Sequence, residues 1–130
     1  AVVRPKSKSE TKIETFFDAR LQERKFRGDS WGAICDDIAG QLPKDVYVSF
    51  DIDGLDPCLC PDTGTPVPGG LSFNEMLELF RAVRRSRRRI VGFDVNEVAP
   101  KAGTKADDWG ADWNANVGAR VLYKLIGAAS

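Results

Sequence analysis

Apolar positions along this chain follow two periods. Ile13, Phe16, Phe17, Leu21 and Phe26 approximate helical spacing and predict a helix over 12–27. Gly28 ends that pattern. Asp29 or Ser30 can then cap a second helix over 31–41, with Trp31, Ile34, Cys35, Ile38 and Leu42 as its buried stripe. Pro43 stops it. Val46-Tyr47-Val48-Ser49-Phe50 is a short β-branched and aromatic run, which predicts a strand leading into Asp51. A loop over 52–70 holds four prolines and four glycines in nineteen residues. Ser72 with Glu75 three residues later forms a capping box that opens a helix through Met76, Leu77, Phe80 and Val83. Ile90-Val91-Gly92-Phe93-Asp94-Val95 predicts a second strand, 96–113 a second loop, and 114–125 a final helix. Residues 1–11 read as a polar, flexible start.

Helix, helix, strand, helix, strand, helix is βαβ order and implies parallel pairing. Both strands are apolar without strict alternation, as strands covered on both faces tend to be. Two parallel strands do not make a self-sufficient sheet, since each leaves an edge unpaired. The pattern therefore predicts either pairing between copies or further strands of the same sheet outside these residues; the second is the sharper reading.

Composition narrows the class. With 130 residues the chain holds at most one ordinary domain, and 42% hydrophobic content is enough for a packed core. Nineteen Lys and Arg offset nineteen Asp and Glu, so net charge argues for no nucleic-acid or membrane partner. There is no long apolar run for a membrane span and no secretory leader pattern in the opening Ala1-Val2-Val3-Arg4-Pro5. Three cysteines fit a reducing, cytoplasmic setting. The chain contains no histidine, which removes Ser-His-Asp and Cys-His catalysis and every His-ligated metal site from within it. It starts at Ala1 rather than a methionine, as an excerpted piece would.

Both strand ends carry acids: Asp51-Ile52-Asp53-Gly54-Leu55-Asp56-Pro57 and Asp94-Val95-Asn96-Glu97. In open α/β sheets, ligands bind outside the carboxyl ends of strands. On an extended segment, residues i and i+2 point the same way, so Asp51 and Asp53 can converge. Carboxylates that close repel unless a cation sits between them, and a hard divalent metal is the natural partner. Strand-end aspartates also serve simply as turn formers, most obviously Asp56 before Pro57. A calcium loop of the EF-hand type fits poorly, because Gly54 stands at position four where that loop needs glycine at six.

The wider string says more. Ser49-Phe50-Asp51-Ile52-Asp53-Gly54-Leu55-Asp56-Pro57, followed by Thr63-Gly64-Thr65-Pro66-Val67-Pro68-Gly69-Gly70-Leu71, resembles the ureohydrolase family of arginases, agmatinases and formimidoylglutamases, with an agmatinase-like cast. Gly92-Phe93-Asp94-Val95-Asn96-Glu97-Val98-Ala99-Pro100 resembles that family's later acidic strand-end motif. The resemblance covers 46–127 and implies a three-layer α/β/α arginase-like fold with a parallel sheet. This chain would hold only its C-terminal strands and helices, so that 1–130 is a partial domain. It also implies a binuclear Mn2+ site in which Asp51 and Asp53 are two of six ligands, with Glu97 gripping the substrate guanidinium and Thr65 standing near it. Asp94 would be a supporting group. The implied reaction is hydrolysis of a guanidino or amidine C–N bond, releasing urea and an amine.

The other four ligands of that family are two histidines and two aspartates from earlier motifs, and this chain lacks them. The resemblance thus implies no catalytic residue complete within these residues, and inertness of the chain alone. The alternative is a non-catalytic homologue acting as a binding or assembly module. For an intact protein it implies a small guanidino or amidine substrate and a homo-oligomer, trimer or hexamer. Other features have plainer readings. Arg81, Arg84, Arg85, Arg87, Arg88 and Arg89 suit a solvated helix end complementing the helix dipole. Cys58 and Cys60 suit loop packing; Trp31, Trp109 and Trp113 suit packing; Asp107 and Asp108 suit solvent exposure.

Overall fold

The computed structural model describes residues 2–6, 10–105 and 112–130. The expected βαβ unit is at its centre. Strand β3 (Asp45–Asp51) pairs in parallel with β4 (Arg89–Asn96), and helix α3 (Phe73–Arg85) makes the crossover. Opposed pairs run Val46↔Ile90, Val48↔Phe93, Ser49↔Asp94 and Asp51↔Asn96, with one irregularity between Val46 and Tyr47.

Helices α2 (Trp31–Gln41), α3 and α4 (Trp113–Ala129) all lie on one face of this pair. Phe80 of α3 and Val117, Val121 and Leu125 of α4 form one core cluster, against which Val48, Phe50, Phe93 and Val95 pack. Cys35 and Ala39 of α2 join Ala82, Val83 and Ile90 in a second. Phe50 and Phe80 meet edge to face with ring centroids 5.9 Å apart, the geometry favoured by the aromatic quadrupole. Gly118 is required in α4, because a Cβ there would sit 2.9 Å from both Val98 methyls.

The opposite face is uncovered among the described residues. Along β3 exposure alternates, so Tyr47, Ser49 and Asp51 point away from the helices while Val46, Val48 and Phe50 point toward them. The expectation of strands without strict alternation is corrected here for β3. The polar residues at 47, 49, 51, 94 and 96 share one side, which is a period-two pattern after all.

Helix ends follow the capping expectations. Ser30 accepts from the Ala33 N–H, and both arms of the Ser72/Glu75 capping box form. Glu75 also ion-pairs with Lys25, and its carbonyl accepts the Trp31 indole N–H at 2.9 Å. This knot ties α1 (Asp18–Phe26), which buries no residue of its own, to the α2–α3 layer.

The chain start differs from the expectation. Strands β1 (Val2–Lys6) and β2 (Glu10–Glu14) form an antiparallel pair, Val3 opposite Ile13, and α1 begins six residues later than the expected Lys12. Thr11, Ile13 and Thr15 are β-branched at alternate positions, a stiffness that favours extended backbone over helix. Ala1 and residues 7–9 of the expected flexible start lie outside the described residues, as do Asp107, Asp108 and Trp109. No helix among the described residues is long and apolar enough to cross a membrane.

Candidate metal and substrate site

The carboxyl ends of β3 and β4 adjoin, because Asp51 is in register with Asn96. Asp51 ends β3 with extended backbone and an exposed side chain. The chain then turns through a short 3-10 segment, Ile52–Gly54, with Ile52 fully buried in the main core cluster. Asp53 therefore stands on a turn, not on extended strand, and the i, i+2 argument for convergence stops at Asp51. A different contact orients Asp53: the Thr65 hydroxyl donates to its Oδ2 at 2.7 Å.

Two more contacts bring the loop to the end of β4. The buried Thr63 hydroxyl donates to the Glu97 carbonyl at 3.0 Å. A Cβ at Gly64 would lie 3.7 Å from Glu97 Oε2, so the Glu97 carboxylate lies beside that glycine. Glu97 is exposed and adopts φ of 62°, a left-handed conformation uncommon for a residue with a Cβ. All four residues singled out from the sequence, Asp51, Asp53, Thr65 and Glu97, thus stand at one end of the strand pair.

The loop is fixed from below. Cys60 is buried, its thiol donates to the Ile52 carbonyl at 3.2 Å, and burial raises its pKa, keeping the proton that bond needs. Leu71 bridges Leu55 in parallel, and Gly70 at φ of 80° passes so close that a Cβ would lie 2.6 Å from Leu55 backbone. Asp56 accepts the Cys58 N–H, the turn-forming role expected of it. Cys58 itself is exposed rather than packed. Trp113 is 52% exposed, its ring N–H donating to the Cys58 carbonyl, so it clasps the loop from outside instead of filling a core.

One level below Asp51, Asp94 gathers three donors on the open face: the Tyr47 hydroxyl at 2.8 Å, the Ser49 hydroxyl at 2.9 Å and the Asn96 amide. Those hydrogen bonds, Tyr47's foremost, hold its carboxyl below the usual range. Tyr47, Ser49 and Thr63 were not singled out from the sequence. The parallel register that stacks 47, 49 and 51 beside 92, 94 and 96 is the signal that could have found the first two.

Carboxylates are hard oxygen donors of the kind manganese takes. Asp51 makes no side-chain hydrogen bond among the described residues, and Asp53 uses one oxygen on Thr65. The donor chemistry fits. The number of donors does not suffice, for no group of three or more acidic, cysteine or histidine side chains gathers among the described residues.

The arginine cluster is more structured than a solvated helix end. Arg85 bridges Asp36 and Glu78, Arg88 donates to the Gly40, Leu42 and Ser86 carbonyls, and Arg89 pairs with Asp45.

Parallel strands joined by a helical crossover define an α/β protein, with acids at the strand ends where such sheets bind ligands. The chain belongs to the arginase family, which residues 4–127 match. It is 38% identical over 96 residues to the N(1)-aminopropylagmatine ureohydrolase of Thermus thermophilus, covering 74% of this chain and 30% of that protein. It is 46% identical over 63 residues to an agmatinase of Pyrococcus horikoshii, covering 48% of this chain and 22% of that one. The structure superposes on the proclavaminate amidino hydrolase of Streptomyces clavuligerus with a TM-score of 0.65 at 36% identity, over 83% of this chain and 33% of the other. The arginase-like fold class is therefore as expected. This chain spans about a third or less of the length of these relatives.

Proposed function

We propose that an intact domain carrying this chain hydrolyses a guanidino or amidine C–N bond in a manganese-dependent reaction, releasing urea and an amine, and that this chain is inert alone. The observation that supports this most is the gathering of Asp51, Asp53, Thr65 and Glu97 at one strand end in a member of the arginase family.

In this reading Asp51 and Asp53 supply part of a binuclear metal shell. Manganese bound there would lower the pKa of a coordinated water enough to provide hydroxide near neutral pH. Thr65 holds one Asp53 oxygen and so sets which oxygen faces the ion. Glu97 accepts the planar N–H fork of the substrate in two charge-assisted hydrogen bonds. Thr63, by pinning the Glu97 carbonyl, fixes that carboxylate without touching substrate. Names of relatives such as agmatinase and aminopropylagmatine ureohydrolase favour a substrate with a terminal guanidino group on an amine-bearing chain. Residues outside this chain would choose its length.

Manganese binding to the chain, followed by the electron paramagnetic resonance of free Mn2+, tests the metal assignment. Weak binding abolished by Asp51→Asn with Asp53→Asn is expected; binding that survives both substitutions overturns it. Urea release from agmatine or arginine tests the rest. This chain should release none, and Glu97→Gln in an intact domain should raise KM and lower kcat/KM together. Manganese-dependent turnover by the chain alone would overturn its inertness.

A further inference from the structure

Helix α4 meets the loops of the candidate site at its first two turns. Asn114, in the first turn, is 1% exposed. Its side-chain N–H donates to Asp62 Oδ2 at 2.6 Å, and its Oδ1 accepts the Asp62 backbone N–H at 3.4 Å. A buried amide is stable only with its polar arms bonded, and Asn114 finds partners for both arms in one residue. Such a two-pronged contact fixes orientation as well as distance.

Gly118 stands four residues after Asn114, on the same side of the helix. There the α4 backbone lies so close to Val98 that a Cβ would sit 2.9 Å from both of its methyls. Residues 62 and 98 are the chain neighbours of Thr63 and Glu97, and the Thr63 hydroxyl donates to the Glu97 carbonyl at 3.0 Å. One side of α4 thus closes a ring of contacts: Asn114 to Asp62, Thr63 to Glu97, Val98 to Gly118. Asp112 extends the anchoring. It is buried, caps α4 through the Ala115 N–H, and accepts the Lys101 N–H and the Thr104 hydroxyl from the chain that leaves Glu97.

We propose that Asn114 is a positioning residue for the substrate grip. By holding Asp62 at both its backbone and its carboxylate, it fixes where Thr63 meets Glu97. It thereby sets where the Glu97 carboxylate stands relative to Asp53, which Thr65 holds two residues beyond Thr63. Asn114 acts through Asp62 and Thr63 and not on substrate itself. This rests on the function proposed above, in which Glu97 holds a guanidino or amidine group.

Exchanging the pair tests the assignment. Asn114→Asp sets two carboxylates against each other, whereas Asn114→Asp with Asp62→Asn restores a donor and an acceptor. Backbone amide shifts of this full chain are read first. Asn114→Asp and, at an exposed position, Asp62→Ala should each move Thr63, Gly64 and Glu97. The exchanged pair should return them toward their original values. Asp62→Ala keeps the test open should Asn114→Asp fail to fold. In an intact domain, Asn114→Asp should raise KM for agmatine by about tenfold or more, the scale on which a small misplacement acts. Manganese content should stay unchanged, and the exchanged pair should recover KM. Shifts that stop at residues 62 and 114 overturn the proposal, as does an exchanged pair that recovers nothing. So does a fall in kcat at unchanged KM, which simple loss of folded protein would give. An intact, manganese-loaded domain that turns over no guanidino substrate counts against the proposed function instead, and the amide shifts still decide the positioning.

Discussion

The β3–β4 pair presents two faces of opposite chemistry, separated by the thickness of one backbone. Toward the helices stand Val46, Val48, Phe50, Ile90, Phe93 and Val95, packed against α2, α3 and α4. Away from them stand Tyr47, Ser49 and Asn96, joined by hydrogen bonds around Asp94, and Asp51 beside them, on a face that no other described residue covers. On the first face the driving force is removal of apolar area from water, about 25 cal/mol per Å². On the second it is hydrogen bonding in contact with water, which contributes far less. Apolar packing and the polar hydrogen-bonded residues are thereby carried by different faces of the same seven or eight residues per strand. Substitutions can be sorted by the face they touch.

The largest contrast comes from truncating each face in turn. Phe80→Ala removes the ring packed on Phe50 and should lower unfolding free energy by about 3–5 kcal/mol. Tyr47→Phe on the other face should scarcely move the urea midpoint. Similar losses for the two would break the division. A smaller effect is expected at the α3 start, where Ser72→Ala removes one arm of the capping box, at about 1 kcal/mol. It should also loosen α1, read as faster amide exchange there, because Glu75 holds Lys25 and Trp31 as well.

At Glu97 the backbone should gain what the site loses. Glu97→Gly relieves the left-handed strain and should raise stability by about 0.5–1 kcal/mol, whereas Glu97→Ala, which keeps the Cβ, should not. The smallest effect is in pH dependence. Asp94 has a depressed carboxyl pKa in the folded chain, so its contribution is complete above the unfolded value of about 3.9 and fades as pH falls through the lower folded value. Asp94→Asn should therefore flatten the acid limb of the stability curve. Tyr47, raised by the same hydrogen bond, works in the opposite sense: its contribution is complete below about 10 and is lost as pH rises further. A Tyr47 titration unchanged by Asp94→Asn would show that the bond does not persist in solution.

Much of the layout was readable from residue order. The span of α2, the Ser72/Glu75 box, the two strands and their parallel pairing follow from spacing, capping chemistry and βαβ order. The helix expected from Lys12 failed because the β-branched residues Thr11, Ile13 and Thr15 alternate there and favour extended backbone, so the helix starts only at Asp18. Trp113 was expected to pack, but its indole N–H found the Cys58 carbonyl at the surface. Asp53 reached the expected place by another route, through a turn and a threonine twelve residues away.

By itself, the sequence determined the family and which elements deliver its acidic motifs to the strand ends. Acid residues at two strand ends, a Pro- and Gly-rich loop and a family-wide motif are one-dimensional facts, written in residue type and spacing. Only the tertiary structure decided that Tyr47, Ser49 and Asn96 gather around Asp94 on one face of the strand pair, and that Thr63 and Thr65 tie the loop to Glu97 and Asp53. Those contacts join residues far apart along the chain. Local spacing does not encode their distances, because they are set by how helices and strands pack once the apolar face is buried.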